Sequence, residues 1–257
     1  MNVSANYMRE HVKPDVRIHY ATICSCAPNV VPDECSVWYY IRAPKRKDVD
    51  EVYSWLCDCA KGAALMTQTT FDIEFLTGCS EVMPNDVLEK VMLEAYKDTG
   101  APKFTPEDYA FAKEIAETYP EVLARDRRVM KEEYGVNGDD KFLCDVVFDK
   151  VIEDRLVAPG STDVGDVSHV VPTYQIYVAG QGIGCPGHSW QMTAYSGSHV
   201  GFASMLCAAK VMGLSGLRLL ENPELVKEAW DNFHKNQTEP YVSPLPADLL
   251  PNLEQTN

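Results

Sequence analysis

The chain is 257 residues long, and 46% of its residues are hydrophobic, 24% charged and 10% aromatic. This length suits one large domain or two ordinary ones, and the apolar content excludes wholesale disorder. The formal net charge of −15 repels phosphate groups, which argues against nucleic acid or an anionic membrane as the main partner.

The cysteines and the apolar segments indicate a cellular location. The nine cysteines are an odd number, and no charged stretch followed by an apolar one opens the chain, so we expect free thiols in a reducing cytoplasm. Residues 167–209 contain no Asp, Glu, Lys or Arg. Prolines, glycines and glutamines interrupt them, and we expect no run of about 18 apolar residues and hence no membrane span.

The first third of the chain predicts a small α+β unit. In chain order, the patterns predict a helix over 3–12, strands over 16–23 and 35–42, a helix over 46–63 and a strand over 69–77. The order α-β-β-α-β is that of a ferredoxin-like split βαβ unit without its leading strand. The alternative is a complete three-stranded layer.

The remainder predicts helices followed by an apolar, glycine-rich core. One helix begins at Pro84-Asn85 and ends at Gly100, and a second begins at Thr105-Pro106 and ends before Pro120. The later elements are predicted as a helix over 121–133, a polar loop over 135–142, a buried strand over 174–180, a buried helix over 199–213, a helix from Asn222-Pro223 and an irregular tail from Pro240.

His188 is the first candidate for chemistry. It lies in Gly184-Cys185-Pro186-Gly187-His188-Ser189-Trp190-Gln191, on a loop after the predicted buried strand. Imidazole binds zinc readily, and loops at strand ends often carry functional sites. A lone histidine is nevertheless more often structural, so spacing alone favours the structural interpretation.

Two further patterns have weaker chemical interpretations. Asp163, Asp166 and His169 follow at three-residue intervals and could bind a metal, but Ser, Thr and Asp beside Gly are also ordinary turn residues, which we favour. The Cys24-x-Cys26 and Cys57-x-Cys59 pairs could form a four-thiolate site. Residues two apart on a helix point to nearly opposite sides, which argues against that site.

Seven motifs follow one another along most of the chain: RIHY at 17–20, APNVVPD at 27–33, YYIRAP at 39–44, GAALMT at 62–67, GSTDVGDVS at 160–168 with Pro172-Thr173, PGHSWQ at 186–191 and AAKVM at 208–212. In this order they resemble p-aminobenzoyl-glutamate hydrolases of the dinuclear-metal aminoacylase and carboxypeptidase superfamily. The resemblance covers nearly the whole chain. It implies an enzyme that cleaves amide bonds of N-acyl amino acids or small peptide-like substrates.

The resemblance also implies a two-domain architecture. In the family, an α/β catalytic domain binds two divalent ions, usually zinc or manganese, and an inserted lid domain commonly forms the dimer. Residues 1–83 resemble the lid without its first strand, and residues 84–257 resemble the C-terminal half of the catalytic domain. The expected fold class is therefore α/β, as an α+β lid joined to part of an α/β metallopeptidase-like domain.

Few functional residues carry over from the family. His188 matches the C-terminal metal ligand, Asn29 and Arg42 match lid positions near the substrate, and Asp163 matches as a structural residue. Related enzymes have Gly-Gly where this chain has Cys24-Ser25, and glycine allows backbone geometry that other residues resist. The loop is therefore expected to differ from that of its relatives.

One histidine cannot form a zinc site, which needs three or four protein ligands. The resemblance implies that the N-terminal half of the family's catalytic domain, with most metal ligands and the general base, has no counterpart in this chain. We therefore expect a form of a metal-dependent amidohydrolase that is inactive alone and holds no metal by itself. It would need a missing N-terminal half or a second polypeptide.

Two alternatives remain open. A non-catalytic dimerising or binding protein that retains the lid fold is the first. A complete small enzyme with a new metal site at Asp163, Asp166, His169 and His188 is the second, and the less favoured.

Overall fold

The computed structural model describes residues 1–24, 26–149 and 160–247. These residues form two compact units. The first contains residues 1–82 with short segments at 160–167 and 240–247, and the second contains residues 83–149 and 168–239. The assignment of a lid to residues 1–83 and of half a catalytic domain to residues 84–257 stays a prediction.

The first unit is built on a two-stranded antiparallel sheet. It contains α1 (Asn2–Arg9), β1 (Arg17–Ile23), β2 (Ser36–Arg42) and α2 (Arg46–Thr67). The register pairs Arg17 with Arg42 at one end and Ile23 with Ser36 at the other. The alternating pattern of the strands turns one face toward α1 and α2, where a small core forms from Met8, Val16, Ile18, Val52 and Leu56. These four elements confirm the predicted α-β-β-α order.

The predicted strand over 69–77 is wrong. The segment pairs with no neighbouring strand among the described residues, and a strand persists only where its backbone groups find a ladder partner. Phe75 packs edge-on against Tyr53 of α2, with ring centroids 5.8 Å apart. Phe71 and Ile73, on the same predicted face, remain 42% and 49% exposed.

The second unit is helical. Its helices are α3 (Asp86–Thr99), α4 (Pro106–Ala116), α5 (Pro120–Tyr134), α7 (Trp190–Ser196), α8 (His199–Glu221) and α9 (Pro223–Asn236), while the short α6 (Val164–Ser168) spans the point in the chain where the two units are divided. Most termini follow the predicted signals. The Asn85 side chain accepts a hydrogen bond from the Leu88 N–H, Gly100 ends α3 at a φ of 76°, and Thr105 with Asp108 forms a capping box.

The predicted buried strand over 174–180 is also wrong. These residues have no regular structure, and the β contact near them is an isolated bridge between Leu143 and Gly182. A short apolar run is consistent with a buried strand, but it does not say whether a partner strand lies beside it. In this unit the core is built mainly from helices, with Leu143 and Ile183 added from connecting segments.

Helix α8 is longer and less buried than the predicted 199–213 helix. One stripe is buried along Val200, Ser204, Cys207, Val211 and Ser215, and the opposite side is exposed and apolar. By length and composition α8 could cross a membrane, a property that core helices of soluble proteins share. It is weak evidence for a membrane span, because Lys210 and Arg218 interrupt the apolar residues of this helix.

The fold class is therefore confirmed only at a coarse level. The described residues combine many helices with one small antiparallel sheet, which is consistent with an α+β fold. The described elements include no parallel sheet of the α/β type. The predicted irregular tail is irregular over residues 240–246, and its last residues lie outside the described part.

Candidate functional site

Asn29 lies in the hairpin loop that joins β1 to β2. The loop contains a turn in which the Val30 N–H donates to the Ala27 carbonyl at 2.9 Å. Asn29 is exposed within that turn. Its amide, which can both donate and accept, is therefore accessible to a ligand.

Arg42 ends β2, so the strand separates it from the hairpin loop. Seven residues of extended chain span about 20 Å. Alternation places Arg42 on the open face of the sheet together with Tyr40, Trp38 and, across the ladder, His19. Trp38 and Tyr40 have ring centroids 5.5 Å apart and are 45% and 52% exposed. This open aromatic and basic face could contact a planar anionic ligand.

Asp166 is hydrogen-bonded to two other segments of the first unit. Its carboxylate accepts from the Ser80 N–H at 3.3 Å, the Ser80 hydroxyl at 2.8 Å and the Tyr241 hydroxyl at 3.2 Å. Gly165 lets the backbones approach, because a Cβ there would lie 2.0 Å from the Ser80 carbonyl oxygen. Burial raises the pKa of the nearby Cys79 thiol, with Asp166 reinforcing this effect and Arg42 opposing it.

This arrangement supports the turn interpretation of the three-residue spacing. The Asp166 N–H donates to the Asp163 carbonyl at 3.1 Å, and the Asp163 side chain is exposed. In the second unit, the His169 carbonyl accepts from the Gln237 side chain at 2.7 Å. The contacts of Asp166 are those of a structural anchor.

His188 lies in the second unit, on the exposed loop just before α7. Its φ of 54° is one of two positive values at non-glycine residues within the described chain. Such a conformation is uncommon for an L-residue and is enriched at functional sites. The imidazole is exposed to solvent, so it is accessible to a ligand.

The residues around His188 hold this loop in place. Ser189 caps α7 by accepting from the Met192 N–H at 3.3 Å, and its hydroxyl donates to the Pro186 carbonyl at 2.6 Å. Gln191 is buried and donates to the Thr118 hydroxyl at 3.0 Å. A Cβ at Gly184 would lie 2.8 Å from the Leu123 backbone. These contacts hold the loop in a defined conformation. The neighbours of His188 in the motif thus support the loop that carries it.

The described residues do not provide a complete metal centre. In the ranges 1–24, 26–149 and 160–247, no three His, Cys, Asp or Glu side chains are grouped so that they could hold a metal ion. A zinc site needs three or four protein ligands. These residues therefore do not by themselves provide the two-ion site that the resemblance implies, and no such group among them supports the less favoured metal site at Asp163, Asp166, His169 and His188.

The second unit also contains a buried contact between an aspartate and a histidine that the sequence does not predict. Asp108 of α4 is buried, and the ring Nδ1 of His199, the first residue of α8, lies 2.8 Å from its carboxylate. Burial alone would raise the pKa of Asp108, but hydrogen bonds from Thr105 and His199 hold it below its usual range. The sequence signals the cap at Thr105; nothing in it signals the approach of a histidine 91 residues away.

Comparison with known proteins supports the resemblance. The chain is 32% identical over 265 aligned positions to a p-aminobenzoyl-glutamate hydrolase subunit of Escherichia coli, covering 98% of this chain and 54% of that protein. It is 26% identical to Xaa-Arg dipeptidase of Mus musculus and to that of Homo sapiens, over 88% and 91% of this chain and 42% and 44% of those proteins. No protein-family model matches the chain.

The relatives are hydrolases by name, and the chain spans about half the length of each. The motifs that carry the resemblance run from residue 17 to residue 212, which agrees with an alignment over almost the whole chain. The resemblance drawn from the sequence is thus confirmed: the chain is a relative of the E. coli p-aminobenzoyl-glutamate hydrolase subunit and matches about half of that protein.

Proposed function

We propose that this chain is part of a metal-dependent amidohydrolase that cleaves amide bonds of N-acyl amino acids such as p-aminobenzoyl-glutamate. One observation supports the proposal most: 98% of the chain aligns to 54% of a p-aminobenzoyl-glutamate hydrolase subunit. In this proposal the chain is inactive alone, and a further polypeptide segment or subunit supplies the remaining ligands of the zinc or manganese site.

The proposed roles follow from side-chain chemistry. The Arg42 guanidinium would bind a substrate carboxylate through two parallel hydrogen bonds. Asn29 lies beyond the other end of β2, about 20 Å from Arg42, so its amide would hydrogen-bond to a substrate molecule other than the one that Arg42 holds. His188 would contribute one imidazole to the metal site that the second segment completes.

The open sheet face suits the proposed substrate class. Trp38 and Tyr40 are exposed beside each other, and an aromatic acyl group such as p-aminobenzoyl stacks favourably on such rings. The same face could form the proposed homodimer contact, because exposed aromatic side chains are enriched in protein interfaces.

Complementation tests the proposal directly. The chain would be co-expressed with the part of the E. coli relative that has no counterpart in it, and release of p-aminobenzoate from p-aminobenzoyl-glutamate would be followed with Zn²⁺ or Mn²⁺ present. We expect turnover only with both parts present, a loss of at least 100-fold in His188→Ala, and a raised KM in Arg42→Ala.

The control for Arg42→Ala is Arg17→Ala, which removes the arginine opposite it in the ladder. If the two parts form a stable complex without turnover, the amidohydrolase proposal fails and a non-catalytic binding protein is the better interpretation. Turnover by the chain alone would contradict the need for a second segment.

A further inference from the structure

Three of the nine cysteines lie together at the tip of the β1–β2 hairpin. Cys24 directly follows β1, Cys26 lies two residues further on, and Cys35 directly precedes β2. All three are free thiols and exposed.

The strand register brings Cys24 and Cys35 face to face. In the ladder, the two residue numbers of each pair add up to 59, and the last pair is Ile23 with Ser36. The next pair in that register is Cys24 with Cys35. Directly opposed residues of an antiparallel pair have Cα atoms about 4.5 to 5.5 Å apart, which is within the range that a disulfide requires.

Side-chain contacts agree with this register. The Cys35 thiol points across the hairpin toward the Ile23 carbonyl, at 3.7 Å. Cys24 Sγ lies 3.2 Å from Cys26 Sγ, and partial desolvation together with a hydrogen bond to Cys24 raises the pKa of Cys35. Cys24 thus contacts Cys26 directly and faces Cys35 through the strand register, while Cys26 is also turned toward the Val30 carbonyl at 3.6 Å.

We propose that Cys24 and Cys35 form a reversible disulfide that closes the hairpin loop, with glutathione disulfide or another small disulfide as the oxidant. One cysteine thiolate attacks the small disulfide, whose S–S bond breaks and releases one thiol. The second cysteine thiolate then displaces the other half, so that one protein S–S bond forms, and the two protons end on the two released thiols.

The bond would restrain the loop that carries Asn29. Residues 24–35 would become a closed ring, and its turn over Ala27–Val30 would lose conformational freedom. The raised pKa values of Cys26 and Cys35 keep these thiols protonated at neutral pH, so oxidation is slow there and accelerates as the pH rises. The inference does not depend on catalytic activity.

Peptide mapping of the folded chain tests the pairing. After incubation with glutathione disulfide, free thiols are alkylated and the protein is cleaved after glutamate, which places Cys24 and Cys26 in peptide 11–34 and Cys35 in peptide 35–51. We expect the two peptides to be joined until reduction, in the wild type and in Cys26→Ser, and to be separate in Cys24→Ser and Cys35→Ser.

Cys57 and Cys59 provide the internal control, because both lie on α2 and on a single glutamate-bounded peptide, 52–74. We expect them to remain alkylated under the same conditions. A disulfide within peptide 11–34, which would join Cys24 to Cys26, would overturn the proposal. Joined peptides in Cys24→Ser, or glutathione adducts without any protein disulfide, would also overturn it.

Discussion

At the residue scale, Asp108 combines burial with several hydrogen bonds. Its carboxylate accepts from the Thr105 N–H at 2.8 Å and the Thr105 hydroxyl at 3.1 Å, and His199 Nδ1 lies 2.8 Å away. These contacts favour the charged form, so the pKa of Asp108 in the folded protein lies below its usual value. The carboxylate thus joins the start of α4 to the start of α8.

Asp108→Asn is expected to lower the free energy of unfolding at pH 7 by about 1–3 kcal/mol, because it removes a charged acceptor from a buried network. A depressed pKa stabilises the fold above the unfolded-state pKa of about 3.9, and this stabilisation is lost as the pH falls through the folded-state pKa. The wild type and the variant should therefore converge in acid.

Urea unfolding at pH 7 and at about pH 2 measures this convergence. Glu107→Gln, which alters the exposed acid beside Asp108 in the same turn, is the matched control and should change stability by less than about 0.5 kcal/mol. Equal stability of Asp108→Asn and the wild type at pH 7 would contradict the account.

Gly182 is required by close packing of two tyrosines. A Cβ at this position would lie 2.3 Å from the Tyr195 hydroxyl and 2.7 Å from the Tyr119 hydroxyl, and these hydroxyls are 3.2 Å apart. Gly182→Ala is expected to destabilise the second unit by about 1–3 kcal/mol, because a fixed backbone leaves no room for the methyl group.

Gly213→Ala is the control for Gly182→Ala. It lies inside α8 with nothing within 4 Å of its added Cβ, and alanine favours a helix over glycine by about 0.5–1 kcal/mol. Thermal unfolding should rank the three proteins with Gly213→Ala highest and Gly182→Ala lowest. The opposite order would contradict the packing described for Gly182.

At the scale of elements, local signals predicted the helices and the hairpin. Proline at the first helical position, the Thr105 cap and the closing Gly100 each act within one turn, so they can be recognised in the sequence. The two strands wrongly predicted, over 69–77 and 174–180, each need a neighbour distant in sequence. Alternating or continuous apolar residues show that a segment could form a strand. They do not show whether a partner strand lies beside it.

The candidate site shows the same limit. The sequence and its resemblance singled out Asn29, Arg42 and His188, and the structure places all three at accessible positions. Whether they act together depends on how the two units are arranged and on ligands from elsewhere. The Asp108–His199 contact, between residues far apart in the chain, could not be predicted from spacing.

Hydrogen exchange tests the corrected segment over 69–77. Without ladder partners, its amides should exchange rapidly, while those amides of β1 and β2 that are hydrogen-bonded across the ladder should exchange at least 100-fold more slowly. Mass spectrometry of peptides from both regions gives the comparison. Slow exchange at alternate residues of 69–77 would mean that a strand pairs there in solution.

At the scale of the whole molecule, the exposed side of α8 presents a row of large apolar side chains. Phe202, Met205, Leu206 and Leu220 are 52%, 60%, 58% and 83% exposed. A contiguous apolar stripe of this kind marks an interaction surface or causes association. We expect the purified chain to self-associate despite its net charge of −15.

Light scattering at several protein concentrations measures this association. Met205→Glu with Leu206→Lys should shift the chain toward monomer without changing the net charge, because both substitutions place a charge on the apolar stripe. Lys103→Gln, at an exposed position outside α8, should leave association unchanged. A monodisperse wild-type monomer would show that this surface does not associate.

Metal stoichiometry shows whether this chain carries a complete metal centre. In the proposed function the chain contributes His188, but its described residues contain no complete dinuclear centre. After equilibration with Zn²⁺ or Mn²⁺ and dialysis against metal-free buffer, elemental analysis should find well under one retained ion per chain. Two tightly held ions per chain would contradict the account and indicate a complete hydrolase site on this chain.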